Sequence, residues 1–468
     1  MNGVNVRLRR GAMGTARILF LAAAIAGNAA AVSAQGVAAG KSPGVNEHWV
    51  PTWGTAQQLV RTPPPPPPSP AQPSANQPPQ PAPSRGTSVA APAGVPAAPP
   101  FRVTTVTNQT VRMILRTSIN GRRARVRLTN AFGSAPVTVG AAHLARRAGG
   151  SSIVPTSDRR LTFGGQQTFT MMPGVVVVSD PVDLEVPALS DLAVSLYLPG
   201  DTGSPTTHST GLRPTYVSTE GDFAGRADMP LAGTTQQYYW LSSVEVVGSP
   251  DAAAIVAFGD SITDGARSTP DTNNSWPALL AARLRANKTT ANIAVVNEGI
   301  GGNRLLTDAV GLAGVSALAR FDRDVLSHPG VKWLMVLEGI NDIGTLGSQT
   351  PPATPVTSDA LIWVLRQIID RAHAHGIKVI GCTLTPYEGA GYARENGEVI
   401  RETVNRWIRT SGAFDAVVDF DAATRDPNNP KRLRPAFDPG DHLHPNDAGY
   451  AAMADAVDLS IFTSNARK

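Results

Sequence analysis

The sequence predicts an all-β domain followed by an α/β domain built on a parallel sheet. The 468-residue chain is too long for one ordinary hydrophobic core. Residues 101–247 alternate apolar and polar side chains with a period of two, which is typical of half-buried strands. From Asp251 onward, short apolar strands alternate with longer helical segments, and this alternation favours a parallel sheet with helices on both faces.

Residues 1–34 are predicted to be a bacterial export signal. Arginines precede the apolar run Ile18 to Ala26, and Val32-Ser33-Ala34 is a small-residue cleavage site. The run is short for a transmembrane anchor, so we expect a secreted or periplasmic chain without stable membrane insertion. Both the Sec and the twin-arginine export routes stay open. Cleavage removes four of the 41 basic residues and none of the 36 acidic ones, and the nearly neutral remainder disfavours a nucleic-acid partner.

The all-β domain is predicted to span residues 47–248. His48 to Gln57 forms its first strand, and a proline-rich segment at 61–100 cannot pack a core. We interpret this segment as a disordered insertion within the domain, because the strand before it would otherwise have no partner. Several short alternating strands separated by turns such as Asn120-Gly121 predict a β-sandwich, jelly-roll-like in arrangement.

Two groups of side chains in this domain have competing interpretations. The basic run of β-strand residues is most simply the solvated face of one strand, and a site for a polyanion or sugar acid is the alternative; its members are Arg122, Arg123, Arg125 and Arg127. The aromatic run Tyr238, Tyr239 and Trp240 is expected to pack at the domain interface, with an aromatic platform for sugars as the alternative.

The α/β domain is predicted to span residues 251–460. The expected strands are Ala254 to Phe258, Ile293 to Asn297, Val331 to Leu337, Ile377 to Thr383 and Ala416 to Phe420. The expected helices are Ser275 to Ala286, Val315 to Ser327, Ser358 to His375, Glu398 to Ser411 and Asn446 to Leu459.

Four short motifs stand at the ends of these elements. Gly259-Asp260-Ser261 follows the first strand, Asn297 to Arg304 is a glycine-rich turn after the second, and Gly339 to Asp342 follows the third. The fourth motif, Asp441 to Asn446, precedes the last helix. A serine at the carboxyl end of a parallel strand lies where open α/β sheets bind their ligands. Asp260 and Asp264 are interpreted as bracing the turn around Ser261.

The ordered set of four motifs resembles the SGNH hydrolases, also called the GDSL esterase/lipase family, over about half of the chain. The resemblance implies a flavodoxin-like three-layer domain that hydrolyses esters through an acyl-enzyme. It makes Ser261 the nucleophile, His444 the base and Asp441 the residue that orients the base. It assigns the oxyanion hole to the backbone N–H of Ser261, the backbone N–H of Gly302 and the side chain of Asn341.

Two of these assignments have neighbours that compete for the same role. Gly301 is the alternative to Gly302, and His442 is the alternative to His444. The spacing from Asp441 favours His444, and we expect His442 to line the site or to lie on the surface. Ser261 does not lie in a G-x-S-x-G motif, which disfavours the α/β-hydrolase lipase fold.

The substrate is predicted from residues near the motif loops. Five residues are candidates to line the pocket: Arg304, Arg267, Glu338, Tyr387 and Phe437. Their polarity favours a short acyl group on a polar alcohol, such as an acetylated sugar or polysaccharide. The alternatives are a lipase or lysophospholipase, an acyltransferase on lipid esters, and a non-catalytic carbohydrate-binding protein.

No cofactor and no metal ion are expected. The sequence has no H-E-x-x-H motif, and His373 and His375 are two residues apart, so they cannot share a helix face. Cys382 is the single cysteine, which excludes an intrachain disulfide, and it is expected to pack as a small hydrophobic side chain. The sequence does not indicate an oligomeric state.

Overall fold

The structure, a computed structural model, describes residues 47–60, 101, 103–347 and 355–463. All of them fall within one compact unit of the chain, residues 43–468. The predicted export signal at 1–34 and the proline-rich insertion at 61–100 lie outside the described residues. Within the described ranges, no helix is both long and apolar enough to cross a membrane.

The first part of the described chain is built from antiparallel strands, which confirms the all-β prediction. They are β1 (Trp49–Gly54), β2 (Gln109–Arg116), β3 (Gly121–Thr129), β4 (Val137–Val139), β5 (Ala141–Gly149), β6 (Ser152–Ile153), β7 (Arg159–Arg160), β8 (Phe169–Met171), β9 (Val176–Val178), β10 (Val182–Val186), β11 (Asp191–Leu198), β12 (Thr207–His208), β13 (Thr215–Glu220), β14 (Leu231–Thr235), β15 (Tyr238–Tyr239) and β16 (Leu241–Val247).

These strands form two main sheets that share one hydrophobic core. One sheet has the order β1-β16-β3-β10 with β9 beside β3, and the other has the order β14-β13-β2-β11-β5-β6 with β7 beside β5. Alternate residues of a strand point to opposite faces, so Val126 and Leu128 of β3 face inward. They join the same core cluster as Met113 and Val194 of the second sheet. We refer to this part of the chain as the β-domain.

The expectation of a solvated arginine face on β3 is wrong for Arg125 and Arg127. Glu245 of β16 lies opposite Arg125 and its side chain is fully buried. Arg125 Nη2 lies 2.6 Å from one oxygen of this carboxylate and Arg127 Nη2 lies 2.9 Å from the other. Arg127 also donates a 3.0 Å hydrogen bond to the carbonyl of Ser327, far along the chain. Paired arginines are needed here because an unpaired buried carboxylate would be costly.

The aromatic run Tyr238, Tyr239 and Trp240 packs in the hydrophobic core of the β-domain, which rules out the sugar platform of the alternative interpretation. Tyr238, Tyr239 and Trp240 are at most 3% exposed. The Tyr238 ring lies edge-on to Trp53 with the ring centroids 4.8 Å apart, and its hydroxyl donates to the carbonyl of Ile114. These rings present no open face to a sugar.

The second part of the described chain alternates strands and helices. Its strands are β17 (Ala253–Gly259), β18 (Ile293–Gly299), β19 (Val331–Leu337), β20 (Lys378–Cys382) and β21 (Ala416–Val418). Its helices are α1 (Ser261–Asp264), α2 (Trp276–Ala286), α3 (Ala317–Phe321), α4 (Ile340–Gly344), α5 (Ser358–Ala374), α6 (Glu395–Thr410), α7 (Phe420–Thr424) and α8 (Asp447–Asp455). We refer to this part as the α/β domain.

The parallel sheet has the order β18-β17-β19-β20-β21, which is the 2-1-3-4-5 order of flavodoxin-like folds. Helix α2 packs against α8, and α5 packs against α3 and α6. The predicted flavodoxin-like three-layer architecture is confirmed. Gly259 is paired with both Gly299 and Leu337, so the carboxyl ends of three strands lie at one level. The loops that follow these strands therefore meet at one edge of the sheet.

Some predicted boundaries differ from the structure. The helix predicted from Val315 is the short α3 continued by a π-helical turn, Asp322–Leu326. The strand predicted to reach Phe420 ends at Val418, because Asp419 caps the next helix by accepting a hydrogen bond from the Ala422 amide. Helix α8 ends at Asp455, and a 3₁₀ turn follows at Leu459–Phe462.

The β-domain covers the β18 edge of the parallel sheet. Strand β1 packs against β18, and the Ser118 hydroxyl accepts a 3.2 Å hydrogen bond from the Val295 amide. Ala254 of β17 and Ala294 of β18 belong to the hydrophobic core of the β-domain. Since an uncovered edge strand invites pairing with other chains, this contact also protects the parallel sheet.

Candidate active site

Ser261 stands at the carboxyl edge of the sheet, as the first residue of α1. The side chain of Asp260 caps this helix by accepting a 2.9 Å hydrogen bond from the Ile262 amide. Ser261 is 8% exposed, and its own backbone N–H is not used by the helix. The turn therefore holds the Ser261 hydroxyl at the surface of the site while its backbone N–H stays available to a ligand.

Three side chains from distant parts of the chain form a continuous hydrogen-bond chain. The Nε2 of His444 lies 2.8 Å from the Oγ of Ser261. The Nδ1 of the same ring lies 2.9 Å from Oδ2 of Asp441. The structure therefore brings together the serine, histidine and aspartate that the resemblance named. In this geometry the carboxylate fixes one ring nitrogen as the donor and leaves the other facing the hydroxyl.

The Asp441 carboxylate is held by several donors. Its Oδ1 accepts hydrogen bonds from the backbone amides of Leu443 and His444, at 3.1 and 3.0 Å. Its Oδ2 accepts a 2.8 Å bond from the Nε of Arg267. Partial burial would raise the pKa of Asp441, but hydrogen bonds from the backbone and ring of His444 outweigh it. With Arg267 and Leu443 adding to them, the pKa lies well below its usual range and the carboxylate stays ionised.

His442 has a different environment from His444. Its ring nitrogen Nδ1 bonds to Asp438, and its side chain is 46% exposed. Its backbone has a φ of 60°, in the left-handed region, and its amide donates to the same Asp438 side chain. His442 therefore braces the loop from outside, while the ring of His444 is the one that reaches Ser261.

The glycine-rich loop after β18 offers a backbone donor to the same site. The amide of Gly301 donates a 3.2 Å hydrogen bond to Oδ2 of Asp264. The amide of Gly302 makes no hydrogen bond to any residue that the structure describes. Gly302 has a φ of 77°, a conformation that favours glycine. Of the two neighbouring glycines, Gly302 is thus the one with a free N–H.

The side chain of Asn341 is oriented by two partners. Its Nδ2 donates a 3.0 Å bond to the carbonyl of Asn303, and its Oδ1 accepts a 3.3 Å bond from the hydroxyl of Tyr392. This network assigns which amide atom is nitrogen. One N–H of Asn341 is used, and the second remains available as a donor.

A group of acidic side chains lies buried beneath the site. Glu338 is 2% exposed, and neither carboxylate oxygen has a hydrogen-bond partner among the described residues. Burial raises the pKa of Glu338 well above its ordinary value, and burial likewise raises the pKa of Asp260 to about 7 and that of Asp342 to about 6. The guanidinium of Arg320 lies 3.8 Å from Glu338, and its positive charge partly counteracts the rise in the pKa of Glu338 and of Asp260.

The residues predicted to line the pocket fall in different places. Glu338 and Tyr387 are buried, at 2% and 1% exposure, so neither lines an open cleft. Both pack beneath the loops, because the chain folds their side chains back toward the core. Arg267 is exposed but bonds to Asp441, while Arg304 and Phe437 are half-buried.

Two residues of the site environment were not predicted from the sequence. Tyr392 orients Asn341, and His208 of the β-domain lies 3.0 Å from Asp264. Tyr392 lies in a loop without periodicity, and His208 lies 56 residues from its partner. The expectation that Asp264 braces the turn was the one available signal. In the described part of the chain, no cluster of three or more His, Cys, Asp or Glu side chains could hold a metal ion.

The fold and the residues at the edge of its sheet define an ester-hydrolysing enzyme. Residues 257–452 match the GDSL-like lipase/acylhydrolase family, which the four motifs already resembled. The chain therefore carries a hydrolase domain of that family, preceded by a β-domain. The search of curated proteins found no match to this chain.

Several solved structures are similar to the hydrolase part. A member of the G-D-S-L lipolytic family from Veillonella parvula is 20% identical, with a TM-score of 0.32, and the match covers 45% of this chain and 99% of that one. An acetyl xylan esterase, AlAXEase, is 24% identical with a TM-score of 0.33, over 43% and 96% of the two chains. A mutant acetyl-xylooligosaccharide esterase from Geobacillus is 25% identical with a TM-score of 0.34, over 45% and 93%.

Proposed function

We propose that the chain is a secreted serine esterase that hydrolyses carboxylic esters through an acyl-enzyme on Ser261. The observation that carries the proposal is the hydrogen-bond chain from Asp441 through His444 to Ser261, with bonds of 2.9 and 2.8 Å. A serine hydroxyl alone is a weak nucleophile, and an adjacent base held by a third group is what activates it. Ester hydrolysis also needs hydrogen-bond donors for the oxyanion, and the N–H groups of Gly302 and Asn341 that remain free among the described residues can provide them.

The acylation step follows from this geometry. The Oγ of Ser261 attacks the ester carbonyl carbon while the Nε2 of His444 takes the hydroxyl proton. The carbonyl oxygen becomes an oxyanion, which accepts hydrogen bonds from the backbone N–H groups of Ser261 and Gly302 and from Nδ2 of Asn341. When the intermediate collapses, the bond to the alcohol oxygen breaks and Nε2 returns the proton to that oxygen. The alcohol leaves and the acyl group remains on Ser261.

Deacylation repeats the same steps with water. His444 takes a proton from the water as its oxygen attacks the acyl carbon, and the same donors hold the second oxyanion. Collapse breaks the bond to the Oγ of Ser261, which recovers its proton from Nε2, and the carboxylic acid leaves. Throughout, the ionised Asp441 stabilises the imidazolium that forms in each half-reaction and keeps the ring in one orientation.

The experiment that tests this function is covalent labelling beside turnover. A fluorophosphonate probe is expected to add to the peptide containing Ser261, as read by mass spectrometry. Ser261→Ala should lose the label and lower turnover of 4-nitrophenyl acetate by about 10⁴-fold or more. Its thermal unfolding should stay close to that of the unsubstituted chain. Labelling elsewhere, or activity that survives in the variant, would contradict the assignment.

We propose short acyl esters of polar alcohols, such as acetylated carbohydrates, as the substrates. The support is the polar rim of the site, where the exposed side chain of Arg267 bonds to Asp441 and that of His442 bonds to Asp438. Charged groups at the rim suit an alcohol rich in hydroxyls better than a lipid. Export by the segment at 1–34 would bring the enzyme to extracellular polysaccharides, and fractionation of expressing cells tests that location.

A second candidate, esters with longer acyl chains, is favoured by a specific observation. The loop after Gly302 exposes Val310 and Leu312, by 58% and 39%. The same loop reaches Gly302, since a Cβ there would lie 3.1 Å from that of Ala313. A series of 4-nitrophenyl esters from acetate to dodecanoate separates the candidates. Highest kcat/KM on acetate supports the carbohydrate-type substrate, and highest kcat/KM on long chains supports the lipid-type one.

A further inference from the structure

The β-domain reaches into the hydrolase site through a buried histidine. His208 of β12 has a side chain that is 3% exposed, and its Nε2 lies 3.0 Å from Oδ1 of Asp264, the last residue of α1. Helix α1 begins at Ser261, so Asp264 is one turn away from the proposed nucleophile. A residue from outside the matched hydrolase segment, 257–452, therefore contacts the helix that carries Ser261.

The position of His208 is fixed from several sides. Its Nδ1 donates a 2.8 Å hydrogen bond to the carbonyl of Ala56. Strand β12 pairs with β15, which places Tyr238 opposite His208, and Gln58 bridges to the preceding residue, Thr207. The imidazole thus has one acceptor on each ring nitrogen, and both nitrogens can donate only when the ring is protonated.

The charge of His208 follows from its surroundings. Burial would lower the pKa of His208, but the negative charge of Asp264 and its hydrogen bond raise it, with smaller contributions from the Ala56 carbonyl and from Glu298. The net direction is upward, which favours an imidazolium paired with the Asp264 carboxylate. Such a pair is net neutral, so the buried carboxylate does not add an uncompensated negative charge to the site.

Asp264 also holds the loop that contains Gly301 and Gly302. Its second oxygen, Oδ2, accepts the 3.2 Å hydrogen bond from the Gly301 amide. The loop is packed tightly here, because a Cβ on Gly299 would lie only 2.3 Å from the Asp264 amide nitrogen. Gly301 is the residue directly before Gly302. The carboxylate therefore fixes one amide of the loop and determines where the next amide points.

We propose that His208 is a positioning residue for the ester hydrolysis proposed above: by holding and neutralising Asp264, it sets the Gly301–Gly302 loop so that the free Gly302 N–H meets the oxyanion. Without His208, Asp264 would face the site as a buried, unpaired carboxylate. Its charge would oppose the negative charge that develops on the ester oxygen, and its freedom to move would loosen the loop. The β-domain would then be part of the catalytic apparatus rather than an appended module.

The test measures kcat and KM separately for 4-nitrophenyl acetate in the full chain. His208→Ala is expected to lower kcat about 10- to 100-fold with little change in KM, since misplacing one oxyanion donor affects the transition state rather than substrate binding. The amide of His208→Gln can still donate to Asp264, so its kcat should lie between those of the unsubstituted chain and of His208→Ala. His143→Ala is the matched control, because it removes a 2.9 Å histidine–aspartate pair within the β-domain.

A double-mutant cycle identifies the cause. Asp264→Asn keeps an oxygen that can accept from Gly301 but removes the charge, so in the His208→Ala background it should recover part of the lost kcat. The inference is overturned if His208→Ala lowers kcat no more than His143→Ala while both chains stay folded by thermal unfolding. It is also overturned if the kcat losses of the two variants simply add.

The same samples separate this inference from the proposed function. If the unsubstituted chain takes the fluorophosphonate label on Ser261 and His208→Ala reacts at the same rate, the positioning role fails and the esterase assignment stands. If the unsubstituted chain is not labelled on Ser261, the assignment of the nucleophile fails first. Slower labelling of His208→Ala, with labelling of His143→Ala unchanged, supports both proposals.

Discussion

The Nε of Arg267 lies 2.8 Å from Oδ2 of Asp441, the same oxygen that faces the ring nitrogen Nδ1 of His444. One carboxylate oxygen thus binds both Arg267, which is exposed, and His444, whose ring faces the proposed nucleophile. The Arg267 side chain is 60% exposed, and its backbone has a φ of 70°. Arg267 thus adopts an unfavourable backbone conformation beside the proposed active site, and the contact with Asp441 helps to hold it there.

Arg267→Ala is expected to lower kcat/KM by less than about tenfold. An exposed ion pair contributes about 1 kcal/mol or less, and the backbone amides of Leu443 and His444 continue to hold Asp441. Arg267→Lys should retain more activity than the alanine variant. Steady-state kinetics at low and high salt check this, since salt screens an exposed pair. A loss beyond a hundredfold would mean that Arg267 contacts the substrate.

Tyr392→Phe is expected to lower kcat about threefold to tenfold with KM nearly unchanged. The substitution removes the hydroxyl that donates to Oδ1 of Asn341, and a neutral hydrogen bond of this kind contributes about 1 kcal/mol. Asn341→Ala removes the proposed oxyanion donor itself and should cost about 10²–10³-fold. Tyr387→Phe is the control, because among the described residues its hydroxyl donates a long, 3.5 Å hydrogen bond to the carbonyl of Arg394 and none to Asn341. Equal effects at Tyr387 and Tyr392 would argue against the orienting role.

The two neighbouring histidines should respond differently to the same substitution. His444→Gln removes the ring nitrogen that faces Ser261, so we expect a loss of about 10⁴-fold or more in kcat. His442→Gln should keep most of the activity and lower the melting temperature slightly, since it loosens only the loop contact to Asp438. Kinetics and thermal unfolding of both variants decide the matter. The reverse order of activities would assign the base to His442.

Glu338→Gln should change how stability depends on pH. Burial raises the pKa of Glu338 in the folded chain well above its ordinary value, while the unfolded chain releases this proton near pH 4.3. Between those two values the folded state binds more protons, so this residue makes stability fall as pH rises. Glutamine cannot ionise and removes that contribution.

The expected readout is a melting temperature measured from pH 5 to pH 9. The melting temperature of Glu338→Gln should rise steadily relative to that of the unsubstituted chain as pH rises. The melting temperature of Glu185→Gln, a substitution at an exposed position, should show no such trend. Asp260 and Asp342, with pKa values raised to about 7 and about 6, act in the same direction and will leave part of the slope in place. A difference that stays constant with pH would show that Glu338 is ionised in the folded chain.

The sequence was most informative where local pattern and topology coincide. Continuous apolar runs such as Ala254 to Phe258 indicate strands covered on both faces, and the structure has these residues buried in β17. The resemblance named Ser261, Gly302 and Asn341 together, and the structure shows why they meet: the carboxyl ends of the parallel strands before them share one edge. The helices of four or five residues, α1, α3, α4 and α7, are too short to show a period.

Contacts between segments that are distant in the sequence could not be predicted from the local sequence pattern. The alternation along β3 predicted which face carries Arg125 and Arg127, but not that Glu245 and the α/β domain would cover that face. Tyr387 and Tyr392 occupy the same irregular loop, and nothing in its sequence tells which ring reaches Asn341. His208 could be connected with Asp264 only through the three-dimensional structure.

Two alanines of the parallel sheet lie in the core of the β-domain. They affect whether the two parts of the chain can be separated in evolution. Ala254 and Ala294 are fully buried among side chains of the antiparallel sheets, and β1 pairs with β16 at the point where the chain enters the α/β domain. A recombination event that separated the two parts would expose apolar surface on both. A substitution on one side of this shared core changes the packing of the other side, so we expect substitutions in the two parts to be coupled.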